Sequence, residues 1–93
     1  MNYSDLISAY KSKTGQEPTA QANRCVEWVA KVGSKFEGIG FRDGSNSKQP
    51  LPDCIFKTWA ENCFPNDAEL QEVCSSYVRE CYQSGLAEGR AIA

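Results

Sequence analysis

The sequence predicts an all-α fold, a small four-helix domain built from two helical hairpins, and three observations carry that prediction. Apolar residues recur at helical spacing in four segments, a Pro65-Asn66 pair divides the last two, and a glycine-, serine- and proline-rich run separates the second from the third. Ninety-three residues make one domain, large enough to bury roughly 60 to 65% of the surface its unfolded chain exposes.

The first helix is expected at about residues 3–13. Tyr3, Leu6, Ile7 and Tyr10 follow the i, i+3, i+4, i+7 pattern of one helix face. Ser4 or Asn2 can cap it, and Gly15, just past Lys11 and Lys13, suits its C-terminal stop.

Glu17-Pro18-Thr19 makes a turn, and the second helix is expected over 19–37. Ala22, Cys25, Val26, Val29, Val32, Gly33 and Phe36 line one side, with Trp28 at the edge. Arg24, Glu27, Lys31 and Lys35 lie opposite. Arg24, Lys31 and Lys35 align at i, i+7, i+11 and could meet an acidic partner, but a solvated helix face is the better account, because Glu27 interrupts the charge and long cationic side chains are ordinary there.

Residues 38–51 read as a long loop, because Gly38, Gly40, Gly44, Ser45, Asn46, Ser47 and Pro50 break the periodicity and Asp43-Gly44 suits a tight turn. Loops of this length in small domains are often functional. Phe41 and Arg42 belong to the residue types that dominate protein interfaces, so they are expected as partner-binding residues. The plainer reading has Ile39 and Phe41 folding back onto the core.

The third and fourth helices, at about 52–64 and 67–86, form the best-defined hairpin. Pro52 suits the first helical position. Ile55, Phe56, Trp59, Ala60 and Cys63 share a face, with Lys57, Thr58, Glu61 and Asn62 opposite and Cys54 on that polar side. Pro65 ends the third helix, and Asn66 is expected to cap the fourth, with Glu69 three residues later. Leu70, Val73, Cys74, Tyr77 and Cys81 form one stripe. Val78, Tyr82 and Leu86 lie beside it, either as contacts to a second neighbouring helix or as an exposed partner strip. Ser84, Gly85 and Gly89 are poor interior residues. The Gly85-to-Gly89 spacing therefore reads as fraying, and 88–93 as a frayed tail.

Composition excludes more functions than it suggests. Ten basic and twelve acidic residues give a net charge of −2, too balanced to attract nucleic acid or an anionic membrane. No apolar run approaches the length needed to span a bilayer and the N-terminus lacks an export pattern, so a soluble cytoplasmic protein is expected. Five cysteines are many for a reducing compartment and odd for a fully bridged domain, which keeps a periplasmic or secreted alternative open. Histidine is absent, removing the commonest general base and zinc ligand. The cysteines lack C-x-x-C spacing. No catalytic residue, metal or cofactor is expected.

The run Asn23-Arg24-Cys25-Val26-Glu27-Trp28-Val29-Ala30-Lys31-Val32, with Leu51-Pro52, loosely resembles the small helical periplasmic immunity proteins that neutralise secreted toxins. The resemblance covers about a third of the chain and departs from the family in cysteine placement and in the short helix after Pro52. What it implies is an exported, oxidised binding protein.

The expectation is thus a non-enzymatic protein that binds another protein stoichiometrically: an inhibitor, immunity or adaptor protein of the kind phages and plasmids often encode. Its partner-binding candidates are Phe41, Arg42, Val78, Tyr82 and Leu86, and a homodimer through the last three is a further arrangement. No nucleic acid or membrane partner is expected. The rival is a thiol protein using Cys54, accessible in the first turn of its helix where unpaired N–H groups favour a thiolate.

Overall fold

The computed structural model describes residues 6–8, 11–12, 15–17 and 20–93, without the side chains of 20–22 and 24–26. Three long helices dominate: α1 (Ala20–Ser45), α2 (Asp53–Cys63) and α3 (Ala68–Ile92). No strand occurs among the described residues. Before α1, residues 6–8 and 11–12 are helical, and Leu6 is fully buried in the core. Gly15, at φ 71°, donates its N–H to the Lys11 carbonyl at 2.7 Å. This is the left-handed stop that its place after the lysines suggests. Tyr3, Tyr10, Cys25 and Val26, which the periodicity assigns to buried faces, lie outside the described side chains.

The largest departure from expectation is residues 38–45, which continue α1 as helix instead of opening a loop. The reason lies in α3. An added Cβ on Gly40 would overlap the Tyr82 carbonyl oxygen, and one on Gly44 the Leu86 carbonyl oxygen. Reciprocally, a Cβ on Gly85 would strike the Glu37 carbonyl oxygen, and one on Gly89 the Phe41 carbonyl oxygen. The obstacles are backbone atoms, so they cannot rotate away. Two helices are in backbone contact along interlocking small-residue faces, a geometry only glycine permits here. Each interior glycine costs about 1 kcal/mol of helix propensity, which close packing along the crossing offsets. The same contacts correct the expected frayed tail, since α3 remains helical to Ile92 with Gly89 buried.

Contacts advance together along both helices, from Gly33 against Tyr77 and Cys81 to Gly44 against Leu86 and Arg90. α1 and α3 therefore run parallel, with α2 returning antiparallel between their ends. α1 and α3 thus form a parallel pair with α2 packed on α3, and the expected pairing of the first two helices lies outside the described residues.

The end of α1 is closed by its own backbone. Lys48 N–H donates to Asp43 O at 2.9 Å and Ser47 N–H to Gly44 O at 3.1 Å. This pair of bonds is a Schellman motif, with Ser47 in the left-handed position (φ 55°) that glycine usually occupies. Residues 46–52 then cross to α2, held by Tyr82. Its hydroxyl donates to Asp43 Oδ2 at 2.8 Å and accepts from Leu51 N–H at 3.1 Å. Asp43, 7% exposed, is the buried charged side chain of the described core, and the tyrosine supplies its partner.

α2 begins at Asp53, with Pro52 as its extended N-cap residue. Pro65 and Asn66 form the turn into α3. The cap is Asp67, one residue later than expected: its Oδ1 accepts from Leu70 N–H at 2.9 Å, while Gln71 Nε2 donates to the Phe64 carbonyl at 2.6 Å. Such a cap contributes about 1 kcal/mol. No Cα of α1 comes within 8 Å of one in α2, and aromatic rings fill the gap. Trp28 stacks on Trp59 at 5.7 Å, Phe36 meets Trp59 and Phe56 edge-on at 6.0 and 5.5 Å, and Phe56 tilts against Tyr82 at 5.4 Å. Such pairs add about 0.5–1.5 kcal/mol each beyond their burial.

Candidate functional site

The expected partner strip on the fourth helix is not a surface. Val78, Tyr82 and Leu86 are 0%, 1% and 6% exposed. They are core because α1 is longer than the sequence suggests and covers them. A homodimer through that strip is excluded by the same packing. Phe41 and Arg42 are both exposed, but on the last turns of α1 and not on a loop. They occupy consecutive helical positions about 100° apart, so they point away from each other and do not form one patch.

Among the described residues the exposed large apolar side chains are Trp28, Phe41, Ile55 and Ile92, and two of them, Trp28 and Ile55, lie at the stacked ring pair that joins α1 to α2. Trp28 is 47% exposed while stacked on Trp59, with an interplanar angle of 18°. Ile55, one turn before Trp59 on α2, is 42% exposed. The two rings belong to different helices that touch only through side chains, and Phe36 behind Trp59 fixes that ring. The result is an aromatic shelf, a stacked indole pair in which Trp28 is about half exposed and Trp59 half-buried. Its components are visible in the sequence, Trp28 as an edge residue and Trp59 as a core one. Their juxtaposition depends on the pairing of α1 with α2 and is not.

Cys54 is exposed in the first turn of α2. It lines a groove of about 610 Å³ between α2 and α3, floored by Phe56 and Ala68 and edged by Lys57, Gln71, Glu72 and Arg79. Arg79 Nη1 stands 3.9 Å from Asp53 Oδ2 across this groove. The four described cysteines are free thiols: Cys54 exposed, Cys63 half-buried, Cys74 and Cys81 buried. Burial pushes the Cys63 and Cys81 thiols up from the ordinary range, a hydrogen bond with Tyr77 partly opposing the rise at Cys81. Burial likewise raises the Tyr82 phenol, which the Leu51 amide partly counters and Asp43 reinforces. These groups are neutral packing elements near pH 7. Among the described residues no cluster of His, Cys, Asp or Glu could hold a metal ion, and no helix is long and apolar enough to cross a membrane.

No protein-family model matches the chain, and neither a curated protein nor a solved structure matches it.

Proposed function

We propose that the protein acts without catalysis, by stoichiometric binding to another protein, as an inhibitor or adaptor. The observation that carries this reading is the Trp28–Trp59 shelf. A tryptophan that is half-exposed yet held by ring stacking presents a large contact area with little side-chain entropy left to lose on binding. Tryptophan is among the residue types enriched at binding hot spots. Ile55, one turn before Trp59 and likewise exposed, extends the apolar centre.

The test starts from cross-linking in the native host to name a partner, followed by calorimetry with both proteins purified. The expected result is a one-to-one complex, with Trp28→Ala weakening it at least tenfold, about 1.4 kcal/mol, in a variant that stays folded although its melting temperature falls by several degrees with loss of the stacked pair. An affinity unchanged by Trp28→Ala refutes the shelf as the site. A loss confined to the Phe41→Ala, Arg42→Ala double variant would place the contact at the end of α1.

One observation favours a second reading. Cys54 lines the α2–α3 groove beside Lys57, an arrangement suited to thiol–disulfide exchange, in which the Cys54 thiolate attacks a partner's disulfide, forms the mixed disulfide and releases the partner's other sulfur as thiolate. This reading requires Cys54 to react with iodoacetamide faster than an exposed model thiol, and an equal or slower rate removes it.

A further inference from the structure

We infer that the protein self-associates head to tail, the outward face of α1 in one copy seating on the outward face of α3 in the next. The inference rests on three observations about the parallel pair.

The first is where the charges lie. On α1, Lys31, Lys35 and Arg42 are exposed. At 100° per residue they point about 180° away from Gly33, Gly40 and Gly44, the residues packed on α3. On α3, Glu69 and Glu80 are exposed. They point about 180° away from Gly85 and Gly89, the residues packed on α1. The two-helix layer therefore carries a cationic ridge on one flank and an anionic ridge on the opposite one. Net charge hides this, because the two nearly cancel.

The second is that these charges are unspent within the chain. Within the chain Lys11 pairs with Glu17 and Arg79 with Asp53. Lys31, Lys35, Arg42, Glu69 and Glu80 form none among the described residues.

The third is register. Lys31 to Arg42 and Glu69 to Glu80 span the same number of residues, about 16 Å of helix. A single offset pairs Lys31 with Glu69, Gly38 with Ser76 and Arg42 with Glu80 in parallel helices. Gly38 is the α1 glycine whose added Cβ would meet nothing within 4 Å, so packing inside the chain does not account for it. In the proposed contact it faces the small Ser76, where two helices can approach closely.

Because the two ridges are on opposite flanks, one two-fold dimer cannot satisfy both. The contact is heterologous and leaves a free ridge at each end, so chains of more than two copies form. Exposed ion pairs dominate it, which makes it weak and sensitive to salt.

Sedimentation equilibrium of the purified protein across concentration tests this, at low ionic strength and again in about 0.5 M salt, where the Debye length falls to a few ångströms. The expected result is a weight-average mass that climbs past two copies at low salt, with an association constant at least tenfold smaller at high salt. Lys31→Glu with Arg42→Glu should leave a folded monomer. Adding Glu69→Lys and Glu80→Lys to that chain should restore association, as should mixing the two double variants. Circular dichroism checks that each variant is folded. Three outcomes overturn the inference: a mass that plateaus at two copies, association that survives the charge reversal, or a wild-type monomer at every concentration and low salt. A wild-type monomer that nonetheless binds polyglutamate would assign the ridge to a different, acidic protein. Lys31 stands one helical turn from Trp28, so the Glu69→Lys, Glu80→Lys variant, which leaves α1 untouched, separates the two readings: it should lose self-association and keep partner binding at the shelf.

Discussion

Gly38 and Gly40 lie two positions apart on α1, and alanine should act oppositely at them. Both substitutions gain the same intrinsic helix propensity, about 1 kcal/mol, so their difference isolates tertiary packing. At Gly38 the new methyl meets nothing within 4 Å, and the variant should be more stable by about 0.5–1 kcal/mol. At Gly40 the methyl overlaps the Tyr82 carbonyl oxygen, with Leu86 N at 2.9 Å and Tyr82 C at 3.0 Å. Ordinary van der Waals contact then requires α1 and α3 to separate along the crossing, and overpacking of this kind costs about 1–3 kcal/mol. The propensity gain only partly offsets it. Gly40→Ala should therefore fall below Gly38→Ala by about 1–3 kcal/mol, with 1 kcal/mol corresponding to about 4–8 °C in a domain of this size. Urea unfolding followed by circular dichroism at low protein concentration measures the gap. Equal stabilisation by both alanines would mean that residues 38–45 do not pack on α3.

Other predictions follow from the same packing. Ser47→Gly should stabilise by about 0.5–1 kcal/mol, because serine is strained at the left-handed position that closes α1; thermal melting would detect it. Tyr82→Phe keeps the ring but leaves Asp43 buried without its donor and releases the Leu51 amide. It should cost about 1–3 kcal/mol, with faster amide exchange over 46–52. Alkaline pH should destabilise the fold. Cys81 and Tyr82 are held neutral in the native state with their pKa values raised, while in the unfolded chain they ionise near pH 8.5 and 10. Their contribution is complete below those values and is lost as pH rises through the raised native ones. Urea midpoints from pH 7 to 11 should decline, and a flat profile would contradict the burial of both groups.

What was legible in the sequence depended on whether the signal was local. Pro65 fixed the α2–α3 turn because it cannot continue a helix, and Gly15 marked a helix stop. The stripe of Leu70, Val73, Cys74, Tyr77 and Cys81 is buried as its spacing implies. Gly38, Gly40 and Gly44 misled for a physical reason: each weakens a helix locally, and for Gly40 and Gly44 the compensation comes from the crossing with Gly85 and Gly89, more than forty residues away. Gly40 and Gly44 on α1 and Gly85 and Gly89 on α3, each pair spaced at four, explain each other only when laid side by side. Val78, Tyr82 and Leu86 became core as a direct consequence, and Phe41 and Arg42 moved from a loop to a helix surface. Aromatic residues were recognisable as apolar, but whether Trp28 ended inside or outside depended on the width of the gap between α1 and α2.

The parallel glycine crossing decides which residues are core and which face solvent, so the most direct test is a nuclear Overhauser spectrum of the α1–α3 contact. The structure predicts cross-peaks from the Gly85 Hα protons to the Phe41 amide and from the Gly40 Hα protons to the Leu86 amide, together with sequential helical contacts through residues 38–45. An antiparallel pattern, in which Gly40 and Gly44 contact progressively earlier residues of α3, would contradict it.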